Sequence, residues 1–207
     1  MSTKKSHPIV FVVDDDESVR SSLGFLLKSM GLNHQAFAAA GDFLAAYDPA
    51  QHGCLVLDVR MPGMSGIELQ QQLNLRGAII PVIFITGHGD IPMAVEAMQH
   101  GAHEFLEKPF RDQDLIDRIQ HALAKDAKTR AALEEHDRIR ARLASLTPRE
   151  REVLALMVQG KPNKIMAYEL DVSQRTLEIH RARVMEKSGA ASLAELVRMT
   201  MDVSTST

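Results

Sequence analysis

Several side chains suited to phosphoryl chemistry follow short apolar runs of the sequence. Asp14 and Asp15 come after residues 9–13, Asp58 after residues 55–57, Thr86 after residues 81–85, and Lys108 shortly after residues 104–106. Runs this short and this uniformly apolar are typical of buried strands in a parallel sheet. Ligands of open α/β sheets bind at the carboxyl ends of such strands. We therefore predict that these side chains meet at one edge of a sheet.

The predicted cluster combines carboxylates, a hydroxyl and an ammonium group. Crowded carboxylates repel one another unless a cation joins them, and hard oxygen donors that leave room for water suit Mg²⁺. Asp58 beside that cation could attack a phosphoryl group and form an aspartyl phosphate, with Thr86 and Lys108 holding its oxygens. The simpler alternative is that the acidic run only caps a helix and that Lys108 pairs with it at the surface.

The elements that would position these residues alternate between strands and helices. Helical spacing of apolar residues follows the first acidic run, and further helices are expected near residues 43–47, 66–75, 91–100 and 112–124. A weak strand is expected around residues 35–38. Five strands alternating with five helices predict an α/β fold, a doubly wound five-stranded parallel sheet.

Composition limits the class of protein. The 207 residues are enough for two domains. The single cysteine, Cys54, argues against a disulfide framework and fits a reducing cytoplasm. No long apolar run suggests a leader or a membrane span, so we expect a soluble, cytoplasmic protein.

The charge differs between the two parts of the chain. Residues 1–125 carry 10 Lys and Arg against 15 Asp and Glu, whereas residues 126–207 carry 14 against 12. The second part is thus mildly basic, which alone is a weak nucleic-acid signal.

The motifs of residues 8–125 resemble response-regulator receiver domains. They are Val-Val-Asp14-Asp15-Asp16, Leu-Asp58-Val-Arg-Met-Pro-Gly, Ile-Thr86-Gly-His-Gly-Asp and Glu-Lys108-Pro-Phe. The resemblance implies the flavodoxin-like strand order 2-1-3-4-5 and a cis peptide bond between Lys108 and Pro109.

The resemblance also implies a role for individual residues. Asp58 would accept a phosphoryl group from a sensor histidine kinase, and Thr86 would move toward that group while Phe105 rotates inward. Many receivers carry Tyr at the position of Phe105, so this switch would depend on packing alone. Arg60 and His88 would tune self-dephosphorylation. Asp15 and Asp58 would hold Mg²⁺, Asp14 would reach it through water, and Arg60 would lend its backbone carbonyl.

Residues 126–145 contain no Gly or Pro and are rich in Ala, Arg and Glu, which predicts a helical linker. The last receiver helix could continue into it. Ile139, Leu143 and Leu146 form a short apolar seam, either a coiled-coil fragment or, as we favour, contacts with a neighbouring domain.

The last part of the chain predicts four short helices. Thr147-Pro148-Arg149-Glu150 and Ser192-Leu193-Ala194-Glu195 have the pattern of capping boxes that open the first and last of them. Between them lie a helix near residues 163–170 and a helix from Ser173 to about residue 187, joined by a tight connection at residues 171–172. This arrangement fits a compact helix-turn-helix domain.

The third of these helices carries several basic side chains. They could neutralise DNA phosphates, and Glu178 could accept a hydrogen bond from a cytosine amino group. Leu177 and Val184 should face inward, and His180 is expected near them. On this helix alone, a solvated charged surface is the better interpretation.

Three motifs in this part of the chain change that interpretation. They are Leu-Thr-Pro-Arg-Glu-Arg-Glu-Val-Leu, Asn-Lys-Ile-Met-Ala-Tyr-Glu-Leu and Ser-Gln-Arg-Thr-Leu-Glu-Ile-His. Residues 146–201 resemble the DNA-binding domain of the NarL/FixJ class of response regulators, and within it the FixJ-type transcriptional regulators. The resemblance implies that residues 173–187 form the recognition helix and that the last helix helps to pair two copies on DNA. The implied DNA-binding residues are Lys164, Arg175, Thr176, Glu178, Ile179, His180, Arg181, Arg183 and Lys187.

We therefore expect a transcriptional regulator rather than an enzyme. It would have a receiver domain in residues 1–125, a helical linker in 126–145 and a LuxR/FixJ-type helix-turn-helix domain in 146–207. Phosphorylation would convert an inhibited chain into a homodimer that binds double-stranded promoter DNA and recruits RNA polymerase.

Two other classes of protein remain as alternatives: a phosphohydrolase that turns over an aspartyl phosphate, and a receiver whose C-terminal helices bind only protein. Steady turnover of p-nitrophenyl phosphate would favour the former, and failure to enrich any DNA from a random pool the latter.

Overall fold

The computed structural model describes residues 7–87, 95 and 97–204. The chain divides into two compact units, Met1–Arg130 and Ala131–Thr207. Within the described ranges, every helix is too short or too polar to cross a membrane.

The first unit contains a five-stranded parallel sheet. The strands have the order β2-β1-β3-β4-β5, so the predicted fold class is confirmed. The weak strand near residues 35–38 forms as β2, two residues earlier than expected. The bounds are β1 Ile9–Val13, β2 Asn33–Phe37, β3 Gly53–Asp58, β4 Val82–Thr86 and β5 Glu104–Glu107.

Both faces of this sheet are buried, because the apolar runs of β1 and β3 present side chains alternately to each face. Phe11 and Leu57 belong to the core on one face, whereas Val12 and Val56 belong to the core on the other. The described helices of this unit are α1 Glu17–Ser29, α2 Ala40–Ala46, α3 Gly66–Leu75 and the start of α4 Asp112–Ala144.

Half of the helix predicted for residues 91–100, namely residues 91–94 and 96, lies outside the described residues. Residues 95 and 97–99 are helical, and Ala97 is fully buried in the first of the two cores.

The helix α4 begins in the first unit and ends in the second. Leu115, Ile116 and Ile119 fill the core under the sheet. Asp126 and Arg130, which the sequence assigned to the linker, are buried as well, with 1 % and 8 % of their surfaces exposed. The Arg130 guanidinium donates to Asp126 and to the carbonyls of Pro49 and Gln51 at 2.8 to 2.9 Å. Residues 126–130 therefore pack with the first unit.

The second unit is helical around a core of its own. Leu146 is buried in this core, and Ile139 and Leu143 pack against it, which agrees with the contacts favoured from the sequence. Further members include Val153 and Leu196. The helices are the end of α4, α5 Pro148–Val158, α6 Asn163–Glu169, α7 Gln174–Ser188 and α8 Leu193–Ser204.

The two predicted capping boxes turn out differently. Thr147 and Glu150 satisfy each other's backbone N–H groups at the start of α5, so that box is complete. Ser192 accepts from the Glu195 N–H at the start of α8, but the Glu195 carboxylate accepts from the N–H of Ala191 instead of Ser192. In the second capping box, the hydrogen bond that the Glu195 side chain accepts from the backbone is therefore displaced by one residue.

Candidate phosphorylation site and DNA-binding helix

Asp58 is the last residue of β3, and its carboxylate has donors on both oxygens. Lys108 Nζ lies 3.1 Å from one oxygen, and the backbone N–H of Arg60 donates to the other at 2.8 Å. Only 8 % of Asp58 is exposed. Gly66 allows this arrangement, because a Cβ there would lie 2.2 Å from the Asp58 carbonyl oxygen. The carboxylate is therefore held at the edge of the sheet by fixed donors.

Asp14 directly follows β1 and shares the Lys108 ammonium group with Asp58. Lys108 Nζ is 2.9 Å from Asp14 Oδ2, while Asp14 Oδ1 accepts from the N–H of Asp16 at 2.9 Å. Asp14 is almost completely buried, whereas Asp15 is exposed. The predicted convergence of β1, β3 and the segment after β5 thus holds for Asp14, Asp58 and Lys108.

Opposing effects act on these charges. Burial is the largest influence on Asp58 and raises its pKa, although the hydrogen bond and charge of Lys108 and the Arg60 N–H pull it down. Burial lowers the pKa of Lys108, but hydrogen bonds and charges from Asp14 and Asp58 outweigh it and raise that pKa. Lys108 is therefore a firmly charged ammonium group that offsets the crowding of two carboxylates.

The remaining predicted receiver residues lie around this centre. Thr86 ends β4 with 2 % exposure, one residue after Ile85, which is paired in register with Asp58. Phe105 is half-buried in β5 and packs against the core under β4. The Lys108–Pro109 peptide bond is cis, as the resemblance implied. His88 lies outside the described residues.

The donor set can be tested for Mg²⁺. Among the described residues, no three acidic, His or Cys side chains are gathered closely enough to hold a metal ion. The side chains brought together are Asp14 and Asp58, while Asp15 is exposed nearby in sequence. Mg²⁺ commonly binds through one or two carboxylates and retains several waters, so this oxygen set fits the ion by its chemistry.

Two features of this unit were not anticipated from the sequence. Arg20 of α1 donates from one nitrogen to the carbonyls of Asp14 and Asp15, both at 2.8 Å, and so fixes the acidic turn. An apolar groove of about 860 Å³ also runs along α1, and the residues from Lys108 to Phe110 form its other wall. Phe25 lines it with 78 % of its surface exposed. The one signal in the sequence that could have indicated the groove is an aromatic residue, Phe25, on the side of an amphipathic helix that is expected to be exposed.

In the second unit, α7 is anchored by its apolar residues. Leu177 and Val184 are fully buried, as predicted, and Ser173 caps the helix by accepting from the Thr176 N–H. His180 is half-buried, and its Nδ1 has no hydrogen-bond partner among the described residues. The predicted DNA-binding residues that are exposed are Lys164, Arg175, Glu178, Ile179 and Arg183, whereas Thr176, His180, Arg181 and Lys187 are half-buried.

Lys187 differs from the other basic residues of α7 because it has an internal partner. Its ammonium group lies 2.7 Å from Glu150 Oε2, and the Glu150 side chain is only 2 % exposed. Nothing in the local sequence indicates this pair, since the two residues are 37 positions apart.

Comparison with known proteins identifies the class. Residues 10–120 match the family model for the response regulator receiver domain, and residues 144–200 match that for bacterial regulatory proteins of the luxR family. The chain belongs to the response regulators that combine these two domains, which are transcriptional regulators rather than enzymes.

The relatives narrow the class further. The chain is 50% identical to the transcriptional regulatory protein FixJ of Azorhizobium caulinodans over 93% of this chain and 91% of that one. It is 49% identical to FixJ of Rhizobium meliloti, over 93% and 94% of the two chains. Among solved structures, the response regulator StyR has a TM-score of 0.87 at 50% identity, covering 95% of this chain and 99% of that one. The FixJ-type resemblance is therefore confirmed.

Proposed function

We propose that Asp58 accepts a phosphoryl group from a sensor histidine kinase and that this modification controls binding of the chain to promoter DNA. The observation that carries the proposal is the Asp58 carboxylate at the end of β3, held by Lys108 and by the Arg60 N–H beside the Asp14 carboxylate. The family supports it, because a receiver domain implies a kinase and a LuxR-type domain implies DNA.

Phosphorylation requires that negative charge on the carboxylates and the incoming group be offset. We propose that Asp14, Asp15, Asp58 and the Arg60 carbonyl hold Mg²⁺, which supplies that charge when bound. Lys108 already bridges Asp14 and Asp58, so its ammonium group is within reach of a phosphoryl oxygen on Asp58. The Thr86 hydroxyl on the next strand would donate to another oxygen.

The groove along α1 suits the kinase. It is apolar, carries the exposed ring of Phe25, and ends at Lys108, one of the residues that hold Asp58. A helical surface of the kinase docked there would bring its phosphohistidine to the open edge of the sheet. We propose this groove as the kinase-binding surface.

The proposed output is dimerisation and DNA binding. Movement of Thr86 and Phe105 after phosphorylation would shift the receiver between two states and favour a homodimer through β5 and the segment 91–100. The exposed residues of α7 would enter the major groove, with Arg175 and Arg183 on phosphates, Glu178 and Ile179 at base edges, and Lys164 of α6 on the backbone. The bound dimer would recruit RNA polymerase and activate transcription in the cytoplasm.

Labelling with a small phosphodonor tests the acceptor. Acetyl phosphate and Mg²⁺ should add one acid-labile phosphoryl group to the parent chain and none to Asp58→Asn, because the amide keeps the volume and loses the nucleophile. Asp42→Asn, at an exposed position on α2, is the matched control and should label like the parent. Equal labelling of Asp58→Asn and the parent would refute the assignment of Asp58 as the phosphoryl acceptor.

A further inference from the structure

The pair formed by Lys187 and Glu150 connects two helices of the second unit. Glu150 Oε2 accepts from Lys187 Nζ at 2.7 Å and from the backbone N–H of Thr147 at 2.8 Å. One carboxylate oxygen thereby joins the N-terminus of α5 to the last turn of α7. These are the helix that opens the domain and the helix proposed to read DNA.

The burial of the Glu150 side chain makes the pair costly to break. The Glu150 side chain is 2 % exposed and that of Lys187 35 %. If the ammonium group turned outward to a DNA phosphate, it would leave a buried carboxylate without its cation, which is strongly unfavourable. Hydrogen bonding by Lys187 is also the largest of the effects that hold the pKa of Glu150 far below its usual value.

The position of Lys187 along α7 points the same way. Recognition helices contact base edges with residues near their N-terminus. Lys187 lies 12 residues after Arg175, roughly 18 Å along the helix axis. Arg183, in contrast, is exposed.

We propose that Lys187 does not contact DNA but acts with Glu150 as a positioning pair that fixes the recognition helix α7 on α5. This inference rests on the proposed DNA binding, and it removes Lys187 from the predicted phosphate contacts. The pair sets the angle at which α7 is presented, while Arg175 and Arg183 supply the charge that phosphates meet.

The test measures affinity and its dependence on salt for the full chain, with a duplex selected by the parent from a random DNA pool. Lys187→Met and Glu150→Gln should each weaken binding on the order of tenfold, since either one removes the same ion pair. The log-log salt slope should stay that of the parent, and the double variant should lose little more than either single variant. Arg183→Met is the matched control for a phosphate contact and should reduce the slope by about 0.9.

A phosphate role for Lys187 gives the opposite pattern. Lys187→Met would then reduce the slope by about 0.9, while Glu150→Gln would keep or strengthen binding because it frees the ammonium group. That result would overturn the inference.

A second readout does not depend on DNA. Both single variants should increase amide hydrogen exchange in residues 148–158 and 174–188, and unchanged exchange in both helices would also overturn the inference. Glu150→Gln keeps an acceptor for the Thr147 N–H, so it tests the pair even if Lys187→Met does not fold. If the parent chain selects no duplex at all but both variants show the increased amide exchange, the proposed DNA binding is refuted and the structural role of the pair stands.

Discussion

Opposing influences act on the ionisation of the Asp58 carboxyl group. Burial raises the pKa of its carboxyl group, and the Asp14 charge adds to that effect, whereas Lys108 and the Arg60 N–H favour the ionised form. A nucleophilic carboxylate must be ionised and accessible. The donors hold the charged form at the carboxyl edge of the sheet.

Arg60 is the residue on which the lifetime of the phosphorylated state should depend. Its backbone is tied to Asp58 and its side chain is exposed on the following loop. A guanidinium can only donate, so it can bind a phosphoryl oxygen and obstruct water but cannot orient water for attack. Arg60→Asn should therefore speed loss of the phosphoryl group by about tenfold, or about 1.4 kcal/mol in activation free energy.

Decay of the label after removal of the phosphodonor measures this rate. Arg76→Asn, at an exposed position at the end of α3, should decay like the parent. An Arg60→Asn chain that keeps its label as long as the parent or longer would refute the role of Arg60 in keeping water from the phosphoryl group.

The sequence predicted the residues of the acidic edge well, because each follows an apolar run whose strand type and direction could be inferred. Lys108 Nζ lies within 3.1 Å of both Asp14 and Asp58 for that reason. Arg20 could not be placed on the acidic turn, since its two bonds to backbone carbonyls depend on the path of the turn. The Lys187 partner was missed because a pair 37 residues apart depends on how α5 and α7 pack.

At the level of elements, α1 is amphipathic but leaves Phe25 exposed on the groove. Phe25→Ala should lower kcat/KM for phosphotransfer from the sensor kinase by about ten- to a hundredfold, as expected if the buried ring contributes about 1.5 to 3 kcal/mol to docking. Labelling by acetyl phosphate should not change, because that donor needs no docking surface.

Leu75→Ala is the matched control for Phe25→Ala. Leu75 ends α3 with 81 % of its surface exposed and is absent from the groove lining. The kinase would be the one that phosphorylates the parent fastest when histidine kinases of the same genome are compared. Equal phosphotransfer to parent and Phe25→Ala would rule the groove out as the kinase-binding surface.

The contact between α5 and α7 should make the second unit sensitive to acid. Hydrogen bonding by Lys187 and by the Thr147 N–H lowers the pKa of Glu150 from 4.5 to about 2. A group with a lowered pKa stabilises the fold above its unfolded-state value, so this stabilisation is complete above pH 4.5 and is lost as the pH falls toward 2. Glu150→Gln should remove that part of the acid dependence.

Hydrogen exchange of the α5 and α7 amides between pH 4.5 and 2 measures the effect locally. His180, Arg183 and Glu186 line the same pocket as Glu150 and Lys187 and are unchanged in the variant, so the comparison of parent and variant isolates Glu150. Glu152→Gln, an exposed position that pairs with Arg149, should keep the dependence of the parent. An unchanged dependence in Glu150→Gln would contradict the lowered pKa.

At the level of the whole molecule, the sequence indicated two units but assigned residues 126–130 to a linker, whereas they pack with the first unit. Each unit has its own core, which the apolar runs of the sheet and the capped helices indicated. The helical character of α4 was predicted from its composition. The burial of Asp126 and Arg130 was not, because charged residues at helical spacing resemble a solvated surface until their partners are known.

We propose above that phosphorylation of Asp58 sets the affinity of the chain for DNA. Beryllofluoride mimics a phosphoryl group on a carboxylate, so with Mg²⁺ it should convert the parent from monomer to dimer in the ultracentrifuge. In the same samples, fluorescence anisotropy with a duplex selected by the activated parent should show an affinity gain of about 5- to 150-fold, the usual range for coupled sites. Asp58→Asn should show no gain. Equal DNA affinity of the parent with and without beryllofluoride, at full occupancy of Asp58, would contradict the account.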